Sequence, residues 1–389
     1  MSTELKPKTR QIPLGMPFFD EQEAEAVRKI FNSPWVLDGP TVRKFEEAFK
    51  NYIGAPYAAS IMNCTCGLHL ALRAFGFGNG DEVILPAFNF VAAGLAVLQA
   101  QCQPVFADVD PRTGNLDPAD LEKKITKKTK AIQVLHYAGN PAAMEPIQAL
   151  AKKHGLKIVE DAAHALGASY AGSKIGTHGD AVSFSFGPLK MICTGMGGMV
   201  TSKDAAFNEK IAGLRSYGMN KSMWNRREAK KPWQYAVADL GHNFRMTDFQ
   251  AAMGIVQLQK LPAILARRKQ IADLYDKTLR SLEGIEFFHT EAQADPVPLY
   301  YTVKIQRSDR ENMRDDLALY LKDQGIGASV HWDPPLHLHP LYAAFGYREG
   351  SFPATEALTK QILSLPLAPG MSDDDAAYIL EKICQFLKK

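Results

Sequence analysis

Ser183-Phe-Ser-Phe-Gly-Pro-Leu-Lys190-Met-Ile-Cys-Thr-Gly-Met-Gly-Gly198 is the stretch on which the reading of this chain turns. It opens inside an alternating, β-prone run, Ala181 to Phe186, and breaks at Gly187-Pro188. A single lysine, Lys190, then stands ahead of a glycine-rich turn. Held at a strand end among apolar neighbours, a lysine amine is desolvated, which favours its neutral form. A neutral amine is what a Schiff base with an aldehyde cofactor requires. The stretch alone does not decide the matter, because most lysines after a strand are solvated surface groups.

Outward from it, strands and helices alternate. β-like runs lie at Tyr57–Met62, Glu82–Leu85, Pro104–Ala107, Ala131–His136, Leu156–Glu160 and Met199–Thr201. Helical patterns fall between the early ones, at 68–75, 90–100, 117–124 and 143–154. This order predicts parallel crossovers: an α/β large domain with a mostly parallel sheet covered by helices. Ligands in such sheets sit beyond the carboxyl ends of the strands. Thr65, Phe90, Asp161, His164, Ser185 and Lys190 all fall there. Nearer the N-terminus, Asp20 to Glu23 reads as a capping box, and Val42, Phe45, Phe49 and Tyr52 form a helical face closed by Gly54. Gly76-x-Gly78-x-Gly80 follows a helix instead of a strand, which argues against a dinucleotide loop.

After about residue 255 the pattern changes. A long helix, about Asp248 to Leu279 and interrupted at Pro262, leads into a smaller C-terminal α/β region. The expected division is a large domain over 1–255 and a small domain over 256–389.

Composition narrows the function. Of 389 residues, 46% are hydrophobic and 22% charged, as in ordinary globular proteins. A net charge of +3 does not argue for nucleic acid or an anionic membrane. The longest apolar runs, such as Val91 to Leu98, are too short to span a bilayer, and Met1 to Gly15 lacks the apolar core of a signal peptide. Five cysteines without a disulfide framework fit a reducing cytoplasm. Cys64-Thr-Cys66 has no second cysteine pair to complete a metal site, so no metal is expected.

A pyridoxal phosphate site has definite needs. Its phosphate wants N–H and O–H donors, best at a helix N-terminus, and Thr65, Cys66 and Ser185 are placed to supply them. The pyridine nitrogen wants a carboxylate that keeps it protonated. Asp161 ends an apolar strand, where an unpaired carboxylate is costly; Glu160 competes, but strand alternation puts the two on opposite faces. His164 could bond the ring hydroxyl. Phe90, or the nearby Phe88, could stack on the ring, with core packing as the alternative for both.

The joint order of these pieces resembles the DegT/DnrJ/EryC1/StrS family of pyridoxal-phosphate-dependent sugar aminotransferases, which share the aspartate aminotransferase fold (fold type I). The most specific segments are Glu160-Asp-Ala-Ala-His-Ala-Leu-Gly167, Ser185 to Gly198, and Gly241-His-Asn-Phe-Arg-Met-Thr-Asp-Phe-Gln-Ala-Ala252. The resemblance implies that Lys190 is the Schiff-base lysine and Asp161 the pyridinium partner. It implies His164 beside the ring hydroxyl, Phe90 on the ring, and Thr65, Cys66 and Ser185 around the phosphate. It further implies that Asn243 reaches the cofactor phosphate of a neighbouring subunit, giving a homodimer with a shared active site. Departures are Cys64-Thr-Cys-Gly67 where Gly-Thr-Ala-Ala is usual, Met196 where an acidic residue is frequent, and Asn140. A dehydratase branch carries histidine at the lysine position; Lys190 disfavours it.

The expected reaction is transfer of an amino group from an amino acid, glutamate or glutamine by resemblance, to a keto-sugar, nucleotide-linked, or to a keto-cyclitol. The loop bearing His331, Trp332, Asp333, His337 and His339 offers groups suited to hydroxyls, with a metal site or plain loop packing as alternatives. Arg215, Arg227 and Arg245 are candidates for a diphosphate or the donor carboxylate, against a solvated surface. The competing classes are another pyridoxal-phosphate reaction, a non-enzymatic regulatory relative, and a nicotinamide-dependent sugar oxidoreductase.

Overall fold

The computed structural model describes residues 10–219, 230–231, 233–306 and 312–388. Helix and strand alternate through α1 (Glu21–Ile30), α2 (Pro40–Ile53), β1 (Tyr57–Ile61), α3 (Cys64–Ala74), β2 (Glu82–Pro86), α4 (Val91–Gln99), β3 (Gln103–Ala107), α5 (Pro118–Lys124), β4 (Thr129–Leu135), α6 (Met144–His154) and β5 (Lys157–Asp161). Two short strands, β6 (Ser169–Tyr170) and β7 (Ser173–Lys174), precede β8 (Ala181–Ser185), β9 (Gly198–Ser202) and α7 (Ala205–Leu214). Asp20 makes the expected capping box on α1. Gly54, at φ +81°, ends α2 in the left-handed conformation that glycine adopts without strain.

The main sheet has seven strands in the order β1-β9-β8-β5-β4-β2-β3. From β3 to β8 every pairing is parallel. β9 runs antiparallel to both β8 and β1. The reason lies in the chain: residues 186–197 between β8 and β9 form no helix, so the chain turns back beside β8 instead of crossing over. That loop carries Lys190. Both faces of the sheet are buried. Alternate residues of β2 go to opposite sides, Ile84 into a core with Phe45, Phe49, Phe184 and Phe186, and Val83 and Leu85 into one with Leu70, Leu72 and Val97.

The rest comprises α8 (Asp248–Leu279), β10 (Ile285–Phe287), β11 (Ala294–Asp295), β12 (Tyr301–Ile305), α9 (Met313–Asp323), α10 (Pro353–Gln361), β13 (Ile362–Leu365) and α11 (Asp373–Leu387). β10, β12 and β13 form a second, antiparallel sheet, whose core joins Tyr275, Val303, Leu317 and Ile379.

Two expectations differ here. α8 is not interrupted at Pro262; it runs unbroken through it. Proline in a helix interior costs about 3 kcal/mol. Here Pro262 sits on the exposed side, while Leu258, Leu261 and Ile264 are buried on the other, and that burial holds the helix through the proline. The expected junction at 255/256 therefore falls inside a continuous helix. The N-terminal residues also pack with the C-terminal core: Ile12 N–H donates to Gly325 O at 2.9 Å, and Gly327 N–H donates to Ile12 O at 2.8 Å.

Candidate active site

Six of the expected residues, Thr65, Phe90, Asp161, His164, Ser185 and Lys190, line one cavity of about 120 Å³. Each arrives from the carboxyl end of a strand. Thr65 follows β1, Phe90 follows β2 as the N-cap of α4, Asp161 ends β5, and Ser185 ends β8. Lys190 sits in the β8–β9 loop, its N–H donating to Gly187 O at 3.0 Å.

Asp161 is the electrostatic centre of the cavity. Its Oδ1 accepts the Ala163 N–H at 3.1 Å and lies 3.6 Å from Cys64 Sγ; Oδ2 accepts no hydrogen bond from the described residues. Burial pushes its carboxyl above the usual carboxylate range, and the Ala163 N–H and the nearby Lys190 only partly offset this. No lysine or arginine makes an ion pair with it among the described residues. Such a carboxylate is suited to a cation brought into the cavity, and a protonated pyridine nitrogen has that charge. On the other face of β5, Glu160 accepts from Gly179 N–H and lies 2.8 Å from His136 Nε2. Both partners there are wholly buried.

His164 is buried, with its ring stacked near Trp332 (6.1 Å, 19°) and edge-on to Tyr300 (5.2 Å). Burial first, and then the neighbouring Lys190, push its pKa well down, so the ring is neutral. Its Nδ1 accepts the Ala138 N–H at 3.4 Å, which leaves the proton on Nε2 as a donor.

The aromatic alternatives separate clearly. Phe88 is fully buried between Tyr137 and Trp332, with centroids 4.9 and 5.0 Å away. Phe90 keeps 53% of its surface exposed and lines the cavity. A ring beside it would cover an apolar face that is otherwise wet.

Other expectations are corrected. Cys66 does not line the cavity, and its N–H already donates to Asn63 Oδ1 at 2.9 Å, the side-chain cap of α3. Arg215 is 1% exposed; Nη1 donates to Glu46 Oε1 at 2.6 Å and to Ser60, and Nη2 to Asp38 Oδ1 at 3.2 Å. It ties α7 to α2 and β1, and the expected anion-binding role is withdrawn. His337 is buried with Nε2 3.0 Å from Glu356 Oε1, a carboxylate that also takes the N–H groups of Gly350 and Phe352. Loop packing accounts for it. Among the described residues no group of His, Cys, Asp or Glu could hold a metal ion.

Of the remaining candidates, His331, Trp332, Asn243 and Arg245 do not line the cavity. His331 is buried; its Nδ1 is 3.2 Å from Ser364 Oγ and 3.4 Å from Tyr137 Oη, and burial, then Lys190, lowers its pKa to about 4. Trp332 reaches the site through its stack on His164. Arg245 donates to Asn243 Oδ1 from Nε (3.0 Å) and Nη2 (2.8 Å), and its guanidinium lies over the Tyr217 ring. Arg227 lies outside the described residues.

The sequence reasoning assigned nothing to Cys64, Asn89 or Tyr300. Asn89 lines the cavity with a buried Nδ2 that has no partner among the described residues, a donor suited to a bound polar group. Nothing in the local sequence marks it. A larger cavity, about 390 Å³, is lined by Tyr137, Ala138, Tyr300 and residues of α8 and β12. It contains neither Lys190 nor Asp161, so the chemistry belongs to the smaller one.

Comparison with known proteins agrees with this geometry. Spore coat polysaccharide biosynthesis protein SpsC of Bacillus subtilis is 38% identical over 381 residues, 97% of each chain. An aminotransferase, TlmJ, from Streptoalloteichus hindustanus superposes with a TM-score of 0.89 at 34% identity, covering 97% of this chain and 99% of that one. A protein of Streptococcus pneumoniae assigned as a sugar aminotransferase, solved in PLP and PMP forms, gives TM-scores of 0.90 and 0.91 at 28% identity, covering 97% of this chain and 99% of that one. The cavity residues fit pyridoxal phosphate: a lysine, a buried carboxylate without a cation, a neutral histidine donor and an exposed aromatic ring surround one space. Matching the family over residues 17–384, the chain belongs to the DegT/DnrJ/EryC1/StrS aminotransferases, enzymes that work with pyridoxal phosphate.

Proposed function

We propose that this enzyme moves an amino group from glutamate or glutamine to a nucleotide-linked keto-sugar. The observation that carries the reading is the convergence of Lys190 and the cation-free Asp161 on one cavity. The sugar acceptor is supported by the polysaccharide role of SpsC and by the sugar-aminotransferase assignment of the Streptococcus pneumoniae protein.

Pyridoxal phosphate, when bound, supplies the electron sink that stabilises a carbanion at the donor Cα. The chain supplies the rest. Asp161 Oδ2 holds the proton on the pyridine nitrogen. His164 Nε2–H donates to the ring hydroxyl, and Phe90 fixes the tilt of the ring by stacking. Thr65, at the N-terminus of α3, and Ser185 hold the phosphate. Lys190 Nζ would take the Cα proton as a general base and, as a general acid, deliver it to the cofactor carbon that comes to bear the amino group. Trp332, stacked near His164, and His331 beside Trp332 are the groups nearest the cavity for the acceptor's hydroxyls.

The site is completed by a second copy of the chain. Asn243 is exposed, and its Nδ2 donates to nothing among the described residues, so it is available to a neighbour's cofactor phosphate. Exposed apolar side chains support a subunit interface: Trp233, Val237 and Leu240, near Asn243 in sequence, together with Met196. Five free cysteines, four of them buried, suit the reducing cytoplasm, and no described helix is long and apolar enough to cross a membrane.

The direct test loads the protein with pyridoxamine phosphate and adds nucleotide-linked keto-sugars one at a time. Return of the aldehyde form, read by absorbance, is expected with one of them. Turnover confined to keto-cyclitols or to amino-acid keto acids would refute the acceptor assignment.

A further inference from the structure

Cys64 lines the same cavity as Lys190 and Asp161, and no role above uses it. It opens α3, and its Sγ lies 3.6 Å from Asp161 Oδ1 and 3.4 Å from Ser183 O. Ser183 O already accepts the Ala162 N–H at 2.9 Å. The carboxylate is the charged acceptor and the stronger one, so the thiol hydrogen goes to Asp161. The backbone is fixed to match: Ser183 Oγ donates to Cys64 O at 3.1 Å, and Ser183 is the register partner of Asp161 across β5 and β8.

We propose that Cys64 is a positioning residue for amino transfer: its S–H and the Ala163 N–H together hold Asp161 Oδ1, so that Oδ2 alone is presented to the cofactor's ring nitrogen. This rests on the pairing of Asp161 with that nitrogen proposed above. The family resemblance puts glycine at this position, which has no side-chain donor, so the device belongs to this chain's own sequence. The thiol keeps its hydrogen, because burial, and then the adjacent Asp161 carboxylate, push its pKa well up. It acts as a donor, not as a nucleophile.

The test compares Cys64→Ala, which keeps Cβ and loses the donor, with Cys64→Ser, which keeps a donor at similar size, and with Asp161→Asn. Two quantities are read on each: the dissociation constant of pyridoxal phosphate from the apoprotein, and the pH midpoint of the bound cofactor's visible absorbance. Cys64→Ala is expected to weaken binding several-fold, on the order of fivefold, since a thiol is a weak donor and acts on the cofactor only through Asp161. It is expected to move the midpoint by about half a pH unit, in the same direction as Asp161→Asn and by less. Cys64→Ser is expected to restore both. An unmoved midpoint in Cys64→Ala, a shift opposite to that of Asp161→Asn, or failure of serine to rescue overturns the inference. If Asp161→Asn itself leaves the midpoint and the binding unchanged, the underlying assignment of Asp161 fails instead, and the two failures are distinguishable. Should Cys64→Ala not fold, Cys64→Gly replaces it as the donor-free variant.

Discussion

His136 Nε2 lies 2.8 Å from Glu160 Oε2, with both side chains wholly buried, on the face of β5 opposite Asp161. The second acidic residue at this strand end is thus consumed by the fold, while Asp161 faces the cavity. Asp161→Asn is expected to lower the rate of amino transfer roughly a hundredfold or more, since a charge-assisted pair in a desolvated site is worth about 2–4 kcal/mol. Glu160→Ala should instead lower stability by about 1–3 kcal/mol, because His136 and the Gly179 N–H lose their acceptor. Steady-state rates and urea midpoints on the two variants separate these effects; near-normal turnover in Asp161→Asn would contradict the assignment.

Lys190→Ala should abolish turnover and leave the fold intact. The lysine is half-buried in the β8–β9 loop, outside any helix or strand, so its loss leaves no buried partner unsatisfied. The cofactor should still bind noncovalently through its phosphate. Borohydride reduction of the wild type followed by peptide mapping should label Lys190; a label on another lysine would overturn the central assignment.

Arg215→Met should cost stability on the order of 3–5 kcal/mol, the usual effect of removing one partner from a buried charge network. Glu46 and Asp38 would then keep only the more exposed Arg43 as a charged partner. In the folded fraction, the KM for the amino donor should be unchanged. A raised KM at normal stability would return Arg215 to the substrate site.

His69, 5% exposed with neither ring nitrogen bonded among the described residues, has its pKa lowered to about 4 by burial, then by His242 and Arg73. An unfolded chain takes up this proton near pH 6.5 and the folded chain only near 4, so stability is lost as pH falls between them. One such group contributes up to about 3 kcal/mol across that window. Denaturant titrations from pH 7 to 4 should show a shallower fall in His69→Leu than in the wild type. An unchanged slope would mean that His69 protonates freely in the fold.

Asn243 does not cap the helix that follows it; Thr247 caps α8, with Gln250 completing the capping box. Asn243→Ala should weaken cofactor retention, a hydrogen bond to a charged group being worth ~1.5–3 kcal/mol. Mixing inactive Lys190→Ala with inactive Asn243→Ala subunits, once subunit exchange is verified, should restore activity. Some mixed dimers then carry both lesions in one site and leave the other intact. No recovery would place both residues in the same subunit's site.

The sequence by itself determined the order of elements and six of the residues that line the cavity. Apolar runs of five or so residues separated by amphipathic helices admit few arrangements other than a covered parallel sheet, and they send strand ends to one edge. Thr65, Phe90, Asp161, His164, Ser185 and Lys190 were legible for that reason. Strand alternation likewise put Asp161 and Glu160 on opposite faces. Tertiary structure alone decided which polar side chains were already spent. Arg215 reads as a free cation until Glu46 and Asp38, some 170 positions away, are found against it. Cys66 loses its amide to Asn63, and His337 its ring to Glu356. Pro262 breaks a helix in a local reading, but burial of the opposite face carries α8 through it. The contact between Cys64 and Asp161 joins residues 97 positions apart. Local patterns record which groups a segment offers; whether a group is free depends on partners brought in by packing, and that information is spread over the whole chain.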